Sequence, residues 1–385
     1  MKNLPLSVNT LSTMRSENMI YVDKTEMAWN LVKQVGSFFL SRPRRFGKSL
    51  FVDTLKNIFE GNKSLFQGLY IYDKWDWNNY YPVIVIDFAS GVLQSREELD
   101  ERIRKILSTN QERLDITGSY SNNITGLFED TILNLFKKYK SRVVVLIDEY
   151  DKPILDNIEN PKIAAQMREG LKNFYSVLKS QNALLQFVFL TGVTKFSKVS
   201  LFSGINQLTD ITLDENFSTI CGYTDDELRD HFSEHLKGAD WDKLRQWYNG
   251  YKWIGSLSVY NPYDILLFIH KKFSYRNYWF ETGNPSFIIK LFEKNRYFLP
   301  ILEDIEVTES ILNSFDIEKI DPITLLFQSG YLTIEKSFIS RERLMFRLKV
   351  PNQEVKIALN DVFIDGYTGT NPSDKIPFQN ELYSC

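Results

Sequence analysis

The sequence predicts an α/β protein: a doubly wound parallel sheet, then a helical region, then a small winged-helix-like domain. Three observations carry this. Four short apolar runs, 37–41, 82–88, 142–150 and 185–193, are continuous in Val, Ile, Leu and Phe rather than alternating, which marks strands covered on both faces. Helical patterns separate them, and strand–helix alternation implies parallel βαβ units. After about residue 215 helices take over, and near 327–351 two alternating runs follow two helical stretches.

The first strand feeds "SRPRRFGKSLF" (41–51). Gly47-Lys48-Ser49 closes the G-x-x-x-x-G-K-[ST] phosphate-loop pattern, but Arg42 stands where its first glycine belongs. Such a loop needs a strand before it, amides turned toward the ligand and a helix N-terminus facing the phosphates. "SFFLS" supplies the strand and "KSLFVDTLKNIFEG" the helix, with Gly61 as its stop. Lys48 is then expected at the terminal phosphates and Ser49 on Mg²⁺, with Gly47 letting the backbone pass close. Pro43 has no amide to donate, so Arg44 or Arg45 is expected to compensate with charge-assisted contacts. The expected nucleotide loop is Arg42, Pro43, Arg44, Arg45, Phe46, Gly47, Lys48, Ser49 and Leu50. A basic surface turn is the competing reading.

The second strand, "PVIVIDF", precedes the helical pattern of residues 95–114. The third, "RVVVLIDEY", ends in two adjacent acids. In an ATPase the first acid, here Asp148, holds the Mg²⁺ shell, and the second, Glu149, polarises the attacking water. Acids at such strand ends also cap following helices, but GKS after one strand and DE after a later one are more specific together. A helix over 163–182 follows, then the fourth strand, whose tip carries Thr191 and Thr194. A fifth strand is expected within 205–213. In additional-strand P-loop ATPases a polar residue at the fourth strand's tip senses the γ-phosphate, which makes Thr191 and Thr194 candidates beside Glu149 and Lys48.

Ten stretches resemble the bacterial AAA-ATPase-like family: "YVDKTEM", "FLSRPRRFGKSLF", "LFQGLYI", "YPVIVIDF", "VLIDEYDKPI", "FLTGVTKFSKVSLFSGINQLTDIT", "YNGYKW", "VYNPYDIL", "FQSGYLTI" and "VPNQEVKIAL". They span nearly the whole chain. The resemblance implies a P-loop ATPase using ATP and Mg²⁺, with the arginine-rich loop as a family form. Members usually carry a C-terminal PD-(D/E)xK nuclease-like domain, which is expected to be absent or truncated here.

The helix of "TDDELRDHFSEHLKG" is predicted from a capping box, Thr224 and Glu227, to Gly238. That of "NPYDILLFIHKKF" starts with Asn261 as N-cap and Pro262 after it. "HFSEH" (231–235) mimics a zinc motif, but Leu228, Phe232 and Leu236 form the buried stripe and no third ligand follows, so surface histidines are expected. "EVK" (354–356) has nuclease spacing but too little chain after it for a nuclease core. The winged region could offer a helix to DNA, yet "ESILNSFDIEKIDPITLLFQSG" holds one lysine among several acids, a poor phosphate footprint.

The chain's 385 residues exceed the ~250–300 beyond which single cores split. The expected division is an ATPase core at 1–215, a helical lid-like region at 216–286, a winged-helix-like domain at 287–360 and a tail at 361–385. A net charge of −3 gives no general attraction to nucleic acid. Two distant cysteines, Cys221 and Cys385, and no apolar run near the ~18 residues of a membrane span fit a cytoplasmic protein. The expected function is a nucleotide-driven switch that hydrolyses ATP. The alternatives are a nucleotide-gated interaction module with negligible turnover and a regulator of DNA-directed nuclease activity. Expected partners are ATP and ADP, with self-association or a protein partner open.

Overall fold

The computed structural model describes residues 1–116, 121, 123–196, 208–279, 305–313 and 320–368, with side chains to 361 in the last segment. Helices α1 (Leu11–Ser16) and α2 (Thr25–Val32) lead into β1 (Gly36–Ser41) and α3 (Lys48–Phe59). Then come β2 (Val83–Asp87), α4 (Arg96–Arg113), α5 (Ile124–Tyr139) and β3 (Val143–Asp148). Helices α6 (Lys152–Leu155), α7 (Pro161–Tyr175) and α8 (Val177–Ser180) precede β4 (Leu185–Gly192) and β5 (Leu208–Asp210).

The five strands form one parallel sheet in the order β2-β3-β4-β1-β5. The late strand β4 is therefore inserted between the loop-bearing β1 and the acid-bearing β3. Alternate side chains serve opposite faces. Phe38, Leu40, Val144, Leu146, Phe187 and Phe189 join the core under α3, while Phe39, Ile84, Ile86, Val145, Ile147 and Val188 join the core under α4, α5 and α7. This two-sided burial is why the runs are continuously apolar.

Several elements differ from the sequence expectation. Helix α5 had not been anticipated; its buried Ile124, Phe128, Ile132 and Leu135 recur at helical spacing behind the Asn123 cap. The single helix expected over 163–182 breaks into α7 and α8. The fifth strand shrinks to three residues, with 205–207 outside the described residues.

Beyond the sheet lie α9 (Asp225–Phe232), α10 (Trp241–Tyr248) and α11 (Pro262–His270). The Thr224–Glu227 capping box forms as expected, although α9 ends at Phe232 rather than Gly238. His231 is exposed and His235 half-buried. Next come β6 (Ile305–Thr308), α12 (Glu309–Leu312), α13 (Pro322–Ser329), β7 (Thr333–Ser340), β8 (Arg343–Lys349) and α14 (Gln353–Thr368). The expected β7–β8 hairpin is present, and β6 adds a third antiparallel strand in the order β6-β8-β7. Part of the first helical stretch expected from 287 and most of the 361–385 tail lie outside the described residues. The core under α3 continues into Val307, Phe346, Leu348 and Val355, so the C-terminal elements share apolar packing with the sheet.

Candidate phosphate-binding site

The turn after β1 is built around Arg42, and here the sequence expectation is corrected. Arg42 does not face a ligand; it is fully buried. Its Nη1 donates to Ser41 O at 2.9 Å and Thr212 O at 3.0 Å, its Nη2 to Phe217 O at 3.0 Å, and its guanidinium stacks 3.9 Å from the Trp253 ring centroid. Burial pushes its pKa down to about 10. Phe46, also buried, meets Tyr251 and Trp253 edge-on. Arg42 and Phe46 thus pin both ends of the loop to the aromatic "YNGYKW" segment. A flexible glycine would supply none of these bonds.

Between these anchors Arg45 and Gly47 both take positive φ, +70° and +96°. Arg44 and Arg45 are exposed and line the cavity above the loop. Arg45 sits 4.9 Å from the Tyr263 ring centroid on α11, whereas the charge of Arg44 is felt at Tyr331, after α13.

Lys48 opens α3 and is buried, its Nζ donating to Pro43 O at 3.1 Å and lying 3.8 Å from Glu149 Oε1. Ser49 hydrogen-bonds the Asp148 carboxyl. Burial, then the neighbouring Glu149, push the Asp148 pKa up to about 6, opposed by Ser49 and Lys48. Glu149 holds a left-handed backbone, φ +51°, with its amide donating to Asp148 Oδ1 at 3.0 Å. That strained turn carries Glu149 into the Lys48 cavity while Asp148 lines a second one. Among the described residues no three His, Cys, Asp or Glu side chains could hold a metal ion by themselves. The Ser49–Asp148 pair fits Mg²⁺, which keeps waters and phosphate oxygens in its shell.

The two threonines of β4 fare differently from expectation. Thr194 Oγ1 donates to Asp151 Oδ2 at 2.6 Å, and that carboxylate also takes the Thr194 amide at 2.6 Å. The hydroxyl is engaged and buried, so Thr194 shapes the strand tip rather than meeting a ligand. Thr191 Oγ1 is buried without a hydrogen-bond partner among the described residues and lies within the sheet, lining neither cavity. Asp151, fully buried with a pKa pushed up to about 6 by burial and then by Glu149, is the organiser that sequence reading missed. Asp87 was missed too. It ends β2 opposite Asp148, and burial, then Glu149, raise its carboxyl against the Ala89 amide and the charges of Arg102 and Lys152. Its signal was present: "VIVID" ends in an acid as "VVVLID" does.

A cavity of ≈ 510 Å³ covers the loop, lined by residues 44–51 with Glu149, and by Val8, Ile20, Tyr223 and Leu266 toward its apolar end. The sequence profile described as Predicted AAA-ATPase matches residues 5–202, a span holding the loop, both acids and β4. The chain belongs to this family. An Azotobacter chroococcum mcd 1 protein described as "Uncharacterized protein in vnfD 5'region" is 45% identical over 383 residues, covering 99% of this chain and 73% of that protein. The similarity of this AAA-ATPase-like chain to that relative therefore extends through α9–α11 and the C-terminal sheet. Among the described residues, no helix is long and apolar enough to cross a membrane.

Proposed function

We propose that this protein binds ATP with Mg²⁺ and hydrolyses it, acting as a nucleotide-driven switch. The carrying observation is that one cavity of ≈ 510 Å³ is lined by residues 44–47, Lys48 and Glu149 together with apolar side chains such as Val8, Ile20 and Leu266, a mixture that suits a triphosphate and a base. Lys48 offers its charge to the terminal phosphates. Ser49 and Asp148 would hold Mg²⁺, which when bound neutralises phosphate charge. Glu149 accepts the proton of the attacking water as the water oxygen bonds to the γ-phosphorus and the bridging oxygen leaves with ADP.

The proposed division keeps the sequence boundaries: core 1–215, lid-like helices 216–286, a winged-helix-like domain 287–360 and a tail 361–385. The β6-β8-β7 sheet with α12 and α13 supports the third assignment. Contacts supporting a readout of nucleotide state join β4's tip to that region: Lys195 N donates to Gln328 Oε1 at 2.9 Å and Lys195 Nζ to Asn313 Oδ1 at 2.8 Å. Gly330 packs so closely on Pro43 that an added Cβ would lie 2.9 Å away. The same contacts suit the second reading, a binding module with negligible turnover. Titration with a fluorescent ATP analogue tests the core claim. Lys48→Ala, folded by circular dichroism, should lose binding; unchanged affinity sinks the phosphate-loop assignment.

A further inference from the structure

A second cavity, ≈ 500 Å³, is lined by Asp148 and shares Asn9 and Ser49 with the first. One wall is a single face of α4, since Arg102, Lys105, Ile106, Thr109, Asn110 and Arg113 recur at three- and four-residue spacing. Buried Asn110 fixes that wall to β2: its Oδ1 accepts from Val85 N at 2.9 Å and its Nδ2 donates to Val85 O at 2.7 Å. Four cations line the cavity, beside the carboxyl groups of Asp53, Asp87 and Asp148. Lys56 and Arg113 both pair with Glu60. Arg102 and Lys105 have no salt bridge among the described residues. Arg102 stands over Gly91, where an added Cβ would lie 3.2 Å from its Nη2, and its charge is felt at Asp87.

We propose that this groove is a second oxyanion site, taking a phosphate group between Arg102 and Lys105. Its role rests on the ATP reading above; its ligand chemistry does not. An attacking water needs only about 30 Å³, so the groove is far larger than hydrolysis requires. Of the cations lining the groove, Arg102 and Lys105 are the two that hold no salt bridge among the described residues, and so the two left to receive an anion. A phosphate group satisfies both, with the Arg102 fork suited to two oxygens. Its source is either the released γ-phosphate or a phosphate monoester bound as co-ligand.

Calorimetric titration of inorganic phosphate into the full chain, with and without saturating Mg-ADP, tests this. Wild type and Lys48→Ala should show a saturable phosphate site, weakened about tenfold or more in a folded Arg102→Ala/Lys105→Ala variant and partly restored by Arg102→Lys. Glycerol 3-phosphate separates the sources. Competition with phosphate supports the site as one for a monoester, and binding of free phosphate alone supports it as the product's exit. No saturable site in wild type, or equal affinity in the double variant, overturns the proposal. A site lost in Lys48→Ala but kept in the double variant also overturns it and leaves the nucleotide reading standing. An Arg102-dependent site in a chain that ignores ADP keeps the groove and sinks the nucleotide reading.

Discussion

Two pairs of carboxyl groups invite comparison. Asp148 and Glu149 stand at the tip of β3; Asp264 and Glu354 join α11 to the start of α14. Burial is the first cause raising both Asp148 and Asp264, and a neighbouring acid is the second. Yet Asp148 is opposed by Lys48 and Ser49 and opens on a cavity, whereas Asp264 is fully buried, raised well above the usual carboxylate range, with no cation beside it. Glu354 Oε1 instead accepts the Trp279 amide at 2.9 Å, and the nearby Glu354 carboxyl adds to the upward push on Asp264. A perturbed acid alone does not mark a site of chemistry. Access and counter-charge separate the two pairs, and we read Asp264–Glu354 as a proton-holding joint.

The sharpest break of this comparison is turnover. Glu149→Gln should keep ATP affinity and lose about 10²–10⁴ in kcat, because it removes the base and leaves the charge of Lys48. Asp148→Asn should also weaken Mg²⁺-dependent binding. Both are read by steady-state hydrolysis beside nucleotide titration, and wild-type rates in both variants would reduce β3's tip to a strand end. Glu354→Gln should leave kcat within about twofold at neutral pH.

Next in size is the anchored end of the loop. Arg42→Ala orphans three buried carbonyl contacts and the Trp253 stack, costing at least about 3 kcal/mol of stability. Chemical denaturation should show it without nucleotide present. A variant of wild-type stability with weakened ATP binding would return Arg42 to the ligand side.

The sealed pair predicts a pH effect. The folded pKa of Asp264 is raised above its unfolded value, so its contribution is full below about pH 4 and is lost as pH rises toward the folded pKa. The loss runs at up to about 1.4 kcal/mol per pH unit. Asp264→Asn mimics the protonated acid and should flatten stability between pH 5 and 8. Parallel wild-type and variant curves would show that Asp264 is ionised in the fold.

The sheet was legible because burial on both faces writes continuous apolar runs, and the loop because GKS has few other uses after a strand. The role of Arg42 was not legible: the same guanidinium that binds phosphate also binds carbonyls, and Trp253, its stacking partner, lies more than 200 residues away. Asp151 hid beside Glu149 because its partners, Val193 and Thr194, come from another strand. Asp87 was readable and passed over, since a single acid at a strand end has a bland use as a cap.

The smallest effects separate Arg44 from Arg45, consecutive residues that line one cavity beside different aromatic rings. Arg45 lies over Tyr263, which lines the same cavity, so its charge stays at that cavity. The charge of Arg44 also acts on Tyr331, outside the parallel sheet. Arg45→Ala should weaken ATP binding by about 1 kcal/mol, roughly fivefold in Kd, the scale of one exposed cation contact. Tyr263→Leu should reproduce part of that loss if the ring holds the guanidinium in place. Arg44→Ala should change Kd less than about twofold and shift the thermal midpoint instead, because its neighbours belong to the C-terminal elements. Equal losses of ATP affinity in both single variants would mean that both arginines contact phosphate, and would remove the distinction drawn between them.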